Sequence, residues 1–115
     1  MTNYKITVVG GWCGNRMVII CEHLTHLLEQ AGFSCRVVHQ SVWENSSPPQ
    51  TSNLVLQLLP AFTEDETGCP IVNIKPMLLD LDHPETIAKI FGRLRQDYPA
   101  FLIGRELHLS RATTI

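Results

Sequence analysis

The 115-residue chain is the size of one domain, long enough to bury a core without disulfides or metals. Nine basic against eleven acidic residues give a net charge of −2, with no basic excess for nucleic acid and no charge block marking a tail. The four cysteines (Cys13, Cys21, Cys35, Cys69) form no CxxC pair and no zinc spacing. The N-terminal apolar run is too short for a signal peptide, and no stretch approaches the roughly 20 apolar residues of a membrane span. The expectation is a cytoplasmic protein with reduced thiols and no direct membrane insertion.

Residues 5–9 (KITVV) are β-branched and end at Gly10-Gly11, a strand followed by a breaker. Met17, Ile20, Cys21, Leu24, Leu27 and Leu28 then recur at helical spacing. That helix is expected to stop near Ala31-Gly32, with Gly32 as its C-terminal glycine. A second strand over 34–40 (SCRVVHQ) has two adjacent valines, which argues for burial on both faces. Pro48-Pro49 excludes a long helix between 41 and 52, leaving room for one turn around Val42 to Asn45. A third strand spans 53–59 (NLVLQLL) and is closed by Pro60. An acidic loop is expected at 63–68 (TEDETG), and a short fourth strand at 71–74 (IVNI), closed by Pro76.

Asp82-His83-Pro84-Glu85 has the form of a helix start with proline at the first helical position. Ile87, Ile90, Phe91 and Leu94 give that helix one apolar stripe, and Pro99 is placed beyond its end. The segment 106–109 (ELHL) reads either as a strand or as unstructured chain. The order β-α-β-β-β-α, with buried strands, argues for an α/β fold with a mostly parallel sheet covered by helices.

The loop from Gly10 to Arg16 follows the first strand and opens the first helix. Ligands of open α/β sheets bind at such places. First-turn amides are unpaired donors at the positive end of the helix dipole, so the loop is a candidate anion site. Its glycines let backbone approach an anion closely, and a thiol there gains thiolate character. Cys13 is therefore the candidate nucleophile, with Gly10, Gly11, Gly14, Asn15 and Arg16 as candidate phosphate binders. The bland alternatives are a chance thiol in a tight turn and an arginine pointing into water. The loop carries neither GxxxxGK[ST] nor GxGxxG. Cys13 does not fit the Cys-x5-Arg loop of cysteine phosphatases, since Ile19 stands six residues on.

Taken in order, KITVVGG, the helix ending at Gly32, SCRVVHQSV, NLVLQLL, GCPIVNIKPML and HPETIAKIFGRL resemble the enzyme IIB subunits of the sugar phosphotransferase system, most closely the galactitol type. The resemblance covers roughly residues 5–94. It implies a four-stranded parallel sheet with flanking helices in a three-layer, flavodoxin-like α/β/α arrangement. The corresponding division is a IIB-like domain over 1–96 and a C-terminal tail over 97–115. It further implies a phosphoryl relay: a histidine of a IIA protein donates to the Cys13 thiolate, which passes the group to a sugar held by a IIC membrane permease. No metal or other cofactor is implied at the cysteine. The pattern departs from the family at two points. The family's phosphocysteine position falls on Gly10, and its Thr-Ser pair has no match in Gly14 to Met17.

Two rival readings stand beside the carrier. One is a IIB-like binding or regulatory module without phosphorylation, which Gly10 at the usual cysteine position favours. The other is a redox or phosphatase enzyme acting through Cys13, against which the missing CxxC and Cys-x5-Arg speak. Other residues read more plainly. His23 and His26 lie on the polar side of the first helix and are expected to be solvated. Cys21 belongs to the core stripe, and Cys35 and Cys69 are structural. Thr63 and Thr67 are loop hydroxyls near the same sheet edge as Cys13. Trp12 either packs on a partner or shields the local core.

Overall fold

The computed structural model describes residues 4–11 and 14–101. Four parallel strands, β1 (Lys5–Gly10), β2 (Arg36–Ser41), β3 (Leu54–Gln57) and β4 (Ile71–Asn73), form one sheet in the order β2-β1-β3-β4. The long helices are α1 (Gly14–Gln30) and α3 (Pro84–Phe101). A short α2 (Glu64–Thr67) precedes β4, and a 3-10 turn (Lys75–Leu78) follows it.

Strand alternation divides the sheet into two unlike faces. Ile6, Val8, Leu54 and Leu56 point to one face and join a single buried cluster with Met17, Ile20, Cys21, Leu24 and Leu28 of α1 and Ile90 and Leu94 of α3. The 3/4 spacing on α1 is the apolar stripe read from the sequence, and it packs over β1 and β2, while α3 packs over β4. Thr7, Val9, Val55 and Gln57 are equally buried but stand outside that cluster. Thr7 bonds Ser52 and Gln57 bonds Phe62, both in the crossover segments.

The right-handed crossover rule explains this division. The chain moves from β1 to β2 in one direction, through α1. It moves from β2 to β3 and on to β4 in the other, so those connections belong on the opposite face. Pro48-Pro49 keeps the β2–β3 connection from being a helix, and it runs as a turn and extended chain held by side-chain bonds. Ser41 O accepts from Glu44 and Asn45 N–H in the single turn at its start. Thr7 and Ser52 share a buried hydroxyl–hydroxyl bond. Lys5 N–H donates to Asn53 Oδ1 at 2.9 Å, and Gln50 Nε2 donates to Glu66 O at 2.9 Å, joining the two crossovers.

Several elements differ from their sequence-based expectation. Residues 63–68 are not an open acidic loop. Thr63 caps α2 in a capping box with Glu66, and Gly68 ends the helix at φ +70°. Three acidic side chains in one helical turn are favourable against the dipole. The paired valines of β2 are only half-buried, because β2 is an edge strand. α3 passes through Pro99 to Phe101, and so through the 96/97 division. A proline there forfeits one backbone bond without barring the last turn. Asp97 is part of the fold: Tyr4 Oη donates to its Oδ2 at 3.2 Å and Arg93 Nε at 3.3 Å. The ELHL segment lies outside the described residues.

The two helix boundaries agree with expectation. Gly32 follows α1 at φ +90°, and α3 begins at Pro84. His83 Nδ1 meets Thr86 N–H at 3.3 Å and its hydroxyl at 2.8 Å, closing the N-terminus of α3. His23 is tied rather than simply solvated: its Nε2 lies 2.7 Å from Asp82 Oδ1, joining α1 to the segment before α3. No helix among the described residues is long and apolar enough to cross a membrane.

Candidate functional site

β1 sits where the strand order reverses. Its connections leave in opposite directions, so a crevice opens beyond its carboxyl end. The chain enters that crevice at Gly10-Gly11 and turns into α1 at Gly14. Cys13 and Trp12 lie outside the described residues.

Gly10 is glycine because its surroundings leave no room for a side chain. A Cβ there would lie 2.6 Å from Met17 Sδ and 3.2 Å from Leu58 Cδ1. At Gly11 it would lie 2.8 Å from Leu59 Cδ2. The carbonyls of both residues are engaged, Gly10 O accepting from Val42 N–H at 3.0 Å and Gly11 O from Ser41 Oγ at 3.3 Å. These two glycines thus let α1 and the β3 end pack closely on β1. The family's cysteine position, which falls on Gly10, is occupied by packing. Asn15 and Arg16 are exposed in the first turn of α1, which carries no acidic residue.

Arg16 borders a cleft of about 540 Å3 at this edge. Its walls come from four segments distant in sequence: Gly11 and Met17 at the junction of β1 and α1, Trp43 after β2, Leu58-Leu59 after β3, and Leu78 in the 3-10 turn. Trp43 is 76% exposed and Leu79, beside Leu78, is 98% exposed. Ile19 and Val18 on α1 are exposed as well. Leu58 and Leu59, read from the sequence as the end of the third strand, follow β3 and line this edge. Thr63 and Thr67 do not offer free hydroxyls, since Thr63 caps α2 and Thr67 Oγ1 donates to Cys69 O at 3.0 Å.

Cys21 and Cys69 are poor nucleophiles. Burial pushes the Cys21 thiol up to about 11, with Glu22 adding to it. Burial also raises Cys69, only partly offset by its bond to Thr67. Neither forms a disulfide among the described residues. Among the described residues, no cluster of three His, Cys, Asp or Glu side chains is arranged to hold a metal. The sequence reading does not reveal the cleft: it places Trp43 in a turn and Leu59 in a strand and gives Leu78 no role, and only the fold brings them together. No family model, curated protein or solved structure matches the chain.

Proposed function

We propose that this chain is a cytoplasmic phosphoryl carrier of the enzyme IIB kind, with Cys13 as the acceptor. The observation that carries the proposal is the position of β1 at the reversal of strand order, with its Gly10-Gly11 end feeding directly into α1. A parallel sheet of this order offers its ligand site at that loop, and the one cysteine in the loop is Cys13. The steric closure of Gly10 supports Cys13, not position 10, as the acceptor.

In this reading the Cys13 thiolate attacks the phosphorus of a phosphohistidine on a IIA partner. The S–P bond forms as the N–P bond breaks, and the imidazole leaves. A sugar hydroxyl held by a IIC permease then attacks the same phosphorus, breaking the S–P bond and releasing the thiolate. Such transfer needs positioning and charge stabilisation more than covalent machinery. Arg16 pairs with the phosphoryl oxygens, Asn15 donates to them, and the amides that open α1 complete the cradle.

The test is incubation with phosphoenolpyruvate, the general phosphotransferase proteins and a galactitol-type IIA. Acid-resistant, thiol-linked phosphate on the wild type, absent in Cys13→Ser, is the expected result. Equal label on both proteins removes the catalytic proposal. A second reading, a IIB-like regulatory module that takes no phosphate, is favoured by the apolar walls beside Arg16. No label on either protein supports it.

A further inference from the structure

The cleft at the carboxyl edge has a composition that selects its guest. Leu58, Leu59, Leu78, Met17 and the Trp43 ring supply apolar walls, and Arg16 is the sole charged side chain among the described lining residues. The Trp43 indole stands over the glycine turn, its Nε1 3.7 Å from where a Cβ on Gly11 would lie. Among the described residues the polar pole of the cleft therefore consists of N–H donors, and no carboxylate lines it. Its volume of about 540 Å3 lies within the range of small-molecule sites.

Elimination by chemistry leaves one class. A polyol would bury hydroxyls against leucines with few partners for them. A cation would meet Arg16 and no opposite charge. A neutral apolar guest would cover the walls but take water from the guanidinium and return nothing. An apolar body bearing one anionic head satisfies both halves, the body on the leucines and the head on Arg16.

We propose that this cleft binds a small amphipathic anion, an aliphatic or aromatic carboxylate, with Arg16 as its head-group ligand. The site requires no thiol chemistry, so it goes beyond the carrier reading and does not depend on it.

The test uses the full chain without any phosphodonor, titrated with octanoate, octanol and octylammonium and followed by amide and indole chemical shifts. Octanoate is expected to saturate and to shift Arg16, Leu59, Leu78 and the Trp43 indole. Octanol is expected to bind about tenfold more weakly, and octylammonium not at all. Arg16→Gln should weaken octanoate about tenfold, the loss of one charge-assisted bond, while leaving octanol unchanged. Trp43→Ala, at an exposed position that leaves the core intact, should weaken octanoate and octanol together. Octanoate shifts absent from the cleft, octanol binding as tightly as octanoate, or an Arg16→Gln variant with unchanged affinity overturns the proposal. So does a shift of the same residues with protein concentration alone, which would assign the cleft to contact between copies. Because no phosphate is present, failure here is distinct from failure of Cys13 labelling.

Discussion

The two faces of the sheet are buried to the same degree by different means. Under α1 and α3, Ile6, Val8, Leu54 and Leu56 meet other apolar side chains, and the stabilisation scales with area removed from water. Under the crossovers, Thr7 and Gln57 are also buried, but each is held by a hydrogen bond. Gln57 forms a clamp, accepting from Phe62 N–H at 2.8 Å and donating to Phe62 O at 3.3 Å. A helix brings its own backbone bonds to the face it covers, whereas a proline-containing crossover must borrow them from strand side chains. The polar residues on the second face follow from the absence of a long helix there. Among the described residues that are not exposed, no buried side-chain polar atom lacks a partner.

The sharpest way to break this comparison is Leu56→Ala. On the helix-covered face it should cost about 3 kcal/mol through lost transfer energy and a residual cavity, read as a lower midpoint in denaturant. Next is the alkaline limb. Cys21 is 7% exposed among the α1 leucines, and its thiol is pushed up to about 11. A raised thiol favours the neutral form in the fold, so its contribution is fully present below the unfolded value of 9.0. It is lost as pH rises through about 11, amounting to about 2–3 kcal/mol by then. Cys21→Ala should flatten the fall in stability between those two pH values, measured by denaturation at each. The smallest effect is expected on the other face. Gln57→Leu keeps the volume but orphans the Phe62 N–H, at a cost of about 1–2 kcal/mol. If it proves neutral, the hydrogen-bonded account of that face is wrong.

Much of the architecture was legible because it is encoded locally. The apolar stripe of α1, Gly32 after it and Pro84 at the start of α3 each carry their instruction within a few residues. The α2 helix was equally local, since Thr63 followed three residues later by Glu66 is a capping box, but its high charge density concealed it as a loop. The edge position of β2 was not legible. Two adjacent valines look the same in a central strand as at an edge, and only pairing distinguishes them.

By itself the sequence determined the order of the four strands and two long helices, the end of α1 and the start of α3, the parallel α/β class and the presence of a cysteine in the turn after the first strand, because each depends on spacing and local backbone preference. The tertiary structure alone decided that Gly10 has no room for a side chain, that His23 reaches Asp82, and that Trp43, Leu59 and Leu78 converge on Arg16. Those outcomes depend on which crossover lies on which face. That is set by the handedness of the whole chain and by no short stretch of it.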